Sequence, residues 1–265
     1  MDEPQSLTYS QYLNLDKLLD AQHSLSYHHD EMLFMIIHQV SELWMKLCLH
    51  ELHATIDCIR RDDLGPTFKM LARVSTVQHQ LQQSWDVLAT ITPSDYAAFR
   101  NTLGRSSGFQ SPQYRLLEFV IGNKNAEALA VFAGDDAAYL MLQRALNSPS
   151  LYDEVLRLLS RRGLNIPTEA IDRDFSRPYE ASKQVAAAWL SVYHNAVKDW
   201  DLYDLAERLV DLDYKFQLWR FAHVKTVERI IGYKRGTAGT SGVSYLTKAL
   251  ELKFFPELWS IRTSM

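Results

Sequence analysis

Apolar residues recur every three or four positions along most of the chain, and strict apolar–polar alternation is almost absent. From Leu212 the steps run through Phe216, Trp219, His223, Val227, Ile230 and Ile231, which share one stripe of a helix expected over about 201–232. His223 is the only polar member of that stripe, while Lys215, Arg220, Lys225 and Arg229 are expected on the opposite, hydrated face. A second stripe, Phe34, Ile37, His38, Ser41, Met45, Cys48 and Leu52, predicts a helix from about His29 to Arg61. Asp30 and Glu31 lie in its first turn, where the helix dipole favours negative charge. Gly65-Pro66 is a break, and the next helix is expected over 67–91, with Trp85 and Leu88 continuing its apolar face. Thr92 and Pro93 then read as N-cap and first residue of another helix. Pro112 opens a helix that runs to Gly122, and shorter helical patterns fall at about 124–132, 136–146 and 150–161. Proline and glycine punctuate 163–178, helices resume at 180–198, and a last pair begins at Tyr245. The expected class is all-α: a large helical bundle in one domain over 1–265, with an N-terminal arm over about 1–20 and a small peripheral helical subdomain over about 123–180.

Composition sharpens this picture in three places. Ten glycines and eight prolines, falling between the periodic segments, imply long helices with short connections. A net charge of −4 removes the electrostatic ground for a nucleic-acid or anionic-membrane partner. The longest apolar run, Met32 to Ile37, is too short to span a bilayer, and the acidic start Met1-Asp2-Glu3-Pro4 has no apolar segment of a signal peptide. The expected location is the cytoplasm, with Cys48 and Cys58 as free thiols. No C-x-x-C-H occurs, so any haem is held without thioether links.

The candidate chemistry starts from the inward histidines. His223 reads either as a core histidine bonded to a carbonyl or carboxylate, or as a ligand to a metal or haem iron. His38 is a second inward histidine, with Phe34 one turn before it. His50-Glu51-Leu52-His53 is one residue short of H-E-x-x-H, and E-x-x-H occurs nowhere, so both zinc-protease and di-iron readings fall away. Tyr96 and Arg100, at i and i+4, project together. They read as a tyrosine packed on an arginine stem, or as an arginine fork for a carboxylate. Gly236 to Gly242 follows a helix and lacks a G-K-[ST] ending, so it is not a phosphate loop; it is a solvated connection or a flap over a site. Tyr9 and Tyr12, spaced i and i+3, either anchor the arm or reach into a pocket.

Four segments together resemble the tryptophan 2,3-dioxygenase family. They are His28-His29-Asp30-Glu31-Met32-Leu33-Phe34 through His38-Gln39 with Glu42-Leu43-Trp44 and His50-Glu51-Leu52; Ser107-Gly108-Phe109-Gln110-Ser111 with Gln113-Tyr114-Arg115; Arg220 through His223 to Gly232; and the Gly236-Thr237 loop. The likeness covers nearly the whole chain and is weakest over 123–180. It implies an all-α homotetramer with one haem b per subunit, cleaving the indole 2,3-bond of L-tryptophan with O₂ to give N-formylkynurenine, the first step of tryptophan catabolism. By the same resemblance His223 falls on the proximal iron ligand and His38 on the distal histidine that meets the indole N–H. Phe34, Met35, Ile36, Ile37 and His38 line the distal pocket. Arg100 takes the substrate carboxylate with Tyr96 beside it, and Thr237 meets the amino-acid end. Tyr9 and Tyr12 belong to an arm that completes a neighbouring subunit's pocket. Two features depart from the pattern. The family loop G-T-G-G-S-S-G here carries Ala238 and Thr240, and the connection Leu25-Ser26-Tyr27-His28 is shorter. These leave open a relative acting on a modified tryptophan and inserting one oxygen to give an oxindole. A haem sensor or carrier, and a haem-free scaffold in which His38 and His223 are core residues, are the readings from other classes.

Overall fold

The computed structural model describes residues 7–104, 106–234 and 242–265. The elements in order are α1 (Tyr9–Leu13), α2 (Leu15–Leu19), α3 (His29–Arg60), α4 (Leu64–Leu88), α5 (Pro93–Phe99), α6 (Pro112–Ile121), α7 (Asp136–Asn147), α8 (Leu151–Arg161), α9 (Thr168–Ile171), α10 (Lys183–His194), α11 (Trp200–Ile230), α12 (Val243–Ala249) and α13 (Pro256–Ser260). Short 3₁₀ turns fill some of the gaps, notably Arg100–Leu103 and Ala126–Phe132, and no strand occurs among the described residues.

Three long helices form the frame. α3 packs along α4 and α4 along α11, and α6 and α8 close against α3. The turn from α3 to α4 is tight, and Asp62 takes a left-handed conformation at φ 60 to make it. Arg162 forks onto that aspartate with Nε and Nη2 contacts of 2.7 and 2.6 Å, tying the turn to the end of α8. α4 starts at Leu64 rather than after Gly65-Pro66. Pro66 falls in the first turn, where an amide N–H has no intrahelical acceptor, so the missing donor costs nothing there. Thr92 caps α5 as expected, its hydroxyl accepting the Asp95 amide at 3.2 Å with Pro93 in the first turn.

The stretch 123–180 divides between two cores. The 3₁₀ turn and α7 form a satellite cluster in which Leu129, Phe132, Leu142 and Leu146 cover Phe119 of α6. α8 instead lies in the main core: Leu151, Val155, Leu156, Leu158 and Leu159 are fully buried. Tyr152 of α8 donates to Glu257 at 2.8 Å, and Tyr179 and the Ser182 amide reach the same carboxylate at 2.7 and 2.8 Å, fastening α13 to the bundle. By length and composition α3 is the one helix among the described residues that would also suit a bilayer span. In the fold its Met45, Cys48, Leu49, Leu52, Ile56 and Ile59 are built into the main core. Cys48 and Cys58 are both buried free thiols.

Candidate active site

The amino-terminal half of α3, the carboxyl-terminal halves of α4 and α11, and the starts of α6 and α12 leave a largely apolar hollow between them. Its atom-free space is about 1390 Å³, part of it open to solvent. From α3 come Phe34, Ile37, His38, Ser41 and Met45, the three-and-four spacing that puts one helix face on the cavity. α4 gives Trp85 and Leu88, α5 gives Tyr96, and α11 gives Trp219, His223, Val227 and Ile230. Both inward histidines therefore face one space.

The two imidazoles are held differently. The Nδ1 of His38 lies 2.7 Å from the Phe34 carbonyl oxygen. A carbonyl can only accept, so Nδ1 carries the hydrogen and the neutral ring keeps a lone pair on Nε2. Burial pushes the His38 pKa down, outweighing the Phe34 bond and the Glu42 charge that act the other way. The Phe34 ring sits 4.2 Å from the His38 ring, centroid to centroid, and packs further on Tyr96 and Phe99. His223 is stacked on Trp85 with centroids 4.4 Å apart and planes 8° from parallel. Protein surrounds His223, and what area it keeps faces the hollow. Burial, helped by His38 across the space, pushes its pKa down to about 4, so the ring is neutral at physiological pH. No described residue hydrogen-bonds its nitrogens. The Trp85 indole N–H beside it is likewise buried with no acceptor among the described residues.

A neutral imidazole with no hydrogen bond from the described residues, aimed into an apolar hollow from a rigid helix, has the donor chemistry of an axial iron ligand. The flat aromatic and aliphatic walls suit a planar macrocycle, and the orphaned Trp85 donor marks a place where a bound group or water completes the bonding. No group of three or more histidine, cysteine, aspartate or glutamate side chains suited to a bare metal ion exists among the described residues. The residues present therefore fit haem with one protein ligand.

The other expected site residues divide. Tyr96 is buried at the wall, and Arg100, at the start of the following 3₁₀ turn, hydrogen-bonds its phenol but is not itself among the residues lining the cavity. Burial raises the Tyr96 pKa against that neighbour, so the phenol stays protonated. Met35 and Ile36 do not line the cavity. The helical repeat turns them away, and Ile36 is 41% exposed. Tyr9 and Tyr12 also stand apart from the cavity of their own chain: they are 76% and 74% exposed on α1, which buries no residue. Thr237, like Ala238 and Thr240, lies outside the described residues.

Arg220 corrects the sequence reading. It is not on a hydrated face but 3% exposed, and its Nη2 donates to Glu118 of α6 at 2.7 Å. Glu118 also accepts from Arg115, from the Tyr114 hydroxyl at 3.0 Å and from Asn123 at 3.2 Å. Arg220 further donates to the Ala249 and Leu252 carbonyls, so the Arg220–Glu118 pair joins α6, the His223 helix, the end of α12 and the segment after it. Tyr114, whose ring lines the cavity, is fixed by the same group. The signal was available in the order Tyr114, Arg115, Glu118, which falls on one helical face at i, i+1 and i+4. No periodicity reveals that the partner of Glu118 comes from α11.

The family model described as tryptophan 2,3-dioxygenase matches residues 2–148 and 190–265. A tryptophan 2,3-dioxygenase of Geobacillus thermodenitrificans is 56% identical over 264 residues, covering 100% of this chain and 94% of its own length. One from Erythrobacter litoralis is 57% identical over 261 residues, covering 98% and 99% of the two chains. One from Bacillus anthracis is 53% identical over 264 residues, with coverages of 100% and 95%.

Proposed function

The chain belongs to the tryptophan 2,3-dioxygenase family, and on that premise we propose that it opens the indole 2,3-bond of L-tryptophan with O₂ at a haem b held by His223, giving N-formylkynurenine. The observation that carries this reading is the pair of neutral inward histidines on one apolar hollow, one of them with no hydrogen bond to any described residue. His223 would hold the iron. The haem, when bound, supplies the activation of O₂.

The chain's own residues then bind and orient. With Nδ1 committed to the Phe34 carbonyl, the His38 Nε2 lone pair is a fit acceptor for an indole N–H. Phe34 backs that ring and narrows the pocket to a planar substrate. Arg100 provides two parallel donors for the amino-acid carboxylate, a geometry a lysine does not reproduce. The Tyr96 phenol, bonded to Arg100, holds the guanidinium in place. The aromatic and aliphatic walls exclude water, which strengthens each remaining polar contact. Thr237 in the following loop would meet the ammonium end. The exposed tyrosines of α1 favour an arm that completes a neighbouring subunit's pocket in a homotetramer. A cytoplasmic location agrees with this chemistry and with the absence of any disulfide among the described residues.

The test is incubation of reduced protein with L-tryptophan and ¹⁸O₂, followed by mass spectrometry. Two labelled atoms in N-formylkynurenine are expected. One labelled atom in an intact bicyclic product would replace the ring-opening reading with the oxindole-forming one.

A further inference from the structure

A histidine that ligates a metal ordinarily donates its second ring N–H to a carboxylate, a carbonyl or a water, and that bond fixes the orientation of the ring. His223 makes no hydrogen bond to a described residue. The torsion that turns a histidine ring has broad minima, so the helix alone leaves the plane of the imidazole loosely defined. The nitrogen lone pair lies in that plane, and its direction is loose to the same degree.

The indole of Trp85 supplies the missing restraint. It lies flat against the imidazole, with planes 8° from parallel and centroids 4.4 Å apart. Turning the imidazole about its Cβ–Cγ bond drives an edge of the ring into the indole face. Trp219, one turn before His223 on α11, offers no such face: it stands 6.0 Å away and tilted by 39°. Trp219 instead braces Trp85, at 5.8 Å. It is itself packed on Phe216 at 5.7 Å and on Tyr114 at 5.4 Å, and the Tyr114 hydroxyl is bonded to Glu118. The indole face is thus fixed from α11 and α6 as well as from α4.

Ordinary core packing does not account for this arrangement. A buried polar side chain in a core finds a hydrogen-bond partner. Here neither the imidazole nor the indole N–H does so among the described residues, and both rings line the cavity. We infer that Trp85 is the positioning residue of the iron ligand: its indole face sets the plane of the His223 ring, and with it the direction of the nitrogen lone pair, in the place of a hydrogen-bonded carboxylate or carbonyl. The inference rests on the reading of His223 as the haem ligand.

The experiment compares the haem-loaded wild type with Trp85→Leu and Trp85→Met, which remove the flat face, and with Trp85→Phe, which keeps a flat ring and loses only the N–H. Circular dichroism checks that each variant folds. Two quantities are read: the iron–histidine stretching band in the resonance Raman spectrum of the ferrous protein, and the rate of haem transfer to apomyoglobin. In the leucine and methionine variants the band should shift or broaden, and haem transfer should quicken by at least about tenfold, the effect of losing a group that orients a metal ligand. Trp85→Phe should restore the wild-type band and slow haem transfer again. A wild-type band in the leucine and methionine variants overturns the inference even if haem leaves faster, because Trp85 would then be packing and nothing more. A phenylalanine variant that behaves like the leucine one also overturns it, since the indole N–H rather than the ring face would be the working part. Absence of an iron–histidine band from the wild type itself would instead refute His223 as the ligand, and the inference with it.

Discussion

Replacing Glu118 with glutamine isolates the group that joins the His223 helix to α6. The carboxylate is 3% exposed and receives four donors on its two oxygens, two of them guanidinium groups. Glutamine keeps the size and one good acceptor. Its amide nitrogen then faces donors, and Arg115 and Arg220 lose their shared counter-charge. Breaking a buried ion pair by removing one partner costs about 3–5 kcal/mol, and the retained carbonyl points to the lower end, about 3 kcal/mol. For a chain of this size each kcal/mol moves Tm by roughly 2–4 °C, so a fall of about 10 °C is expected. Tyr114→Phe, which removes one neutral donor and leaves the charges paired, should cost only about 1 kcal/mol. The assay is urea unfolding of wild type, Glu118→Gln, Arg220→Met and the double variant, with the m-value unchanged across the set. Arg220→Met also frees the Ala249 and Leu252 carbonyls, so the single losses differ, but their coupling reports the shared pair. A loss below about 1 kcal/mol for Glu118→Gln, or a coupling below about 0.5 kcal/mol, would show that the carboxylate does not hold the two helices together.

Other outcomes follow from the same geometry. His223→Ala should yield folded protein with little or no Soret absorbance, because Trp85, Val227 and Ile230 keep the helix packed while the unpartnered imidazole is gone; a wild-type haem spectrum refutes the ligand assignment. Arg100→Leu should retain haem but lower kcat/KM for L-tryptophan by the equivalent of about 2–5 kcal/mol, and unchanged turnover places the carboxylate elsewhere. Burial pushes Lys124 from 10.5 down to about 8, so in alkali the folded chain gives up this proton before the unfolded chain does. The unfolded state then binds more protons, and this residue's contribution raises stability as pH climbs from about 8 toward 10.5, by at most about 3 kcal/mol. From about pH 9 the buried Cys48 thiol, pushed up to about 12, begins to act in the opposite direction, and near pH 10 the buried tyrosines Tyr152 and Tyr179, whose pKa values are raised, join it. Denaturation between pH 8 and 9.5 should thus show a rising stability that Lys124→Met removes, and an equal slope in both proteins excludes the effect.

Much of the bundle follows from local rules. The three-and-four spacing through Phe34, Ile37, His38, Ser41 and Met45, and through Phe216, Trp219, His223 and Val227, determined by itself that two long helices exist and that each turns one histidine inward. The Thr92-Pro93 cap was equally plain, because an N-cap bond spans three residues. The rotation of Met35 and Ile36 away from the cavity belongs to the same local geometry, and a contiguous 34–38 lining ignored it. What only the tertiary structure decided lies between helices. Periodicity gives each side chain a direction on its own helix but no partner across the gap. So Arg220, three residues before His223 and cationic, looked like a hydrated residue until Glu118 was brought against it. Trp85 stacking on His223 is the same kind of fact, requiring the register of α4 against α11. α8 read as peripheral because its neighbours in sequence are short and broken, yet it sits in the main core, where burial depends on α3, α6 and α9 packing against it and on Trp189 of α10 bonding Tyr152, rather than on anything within its own residues.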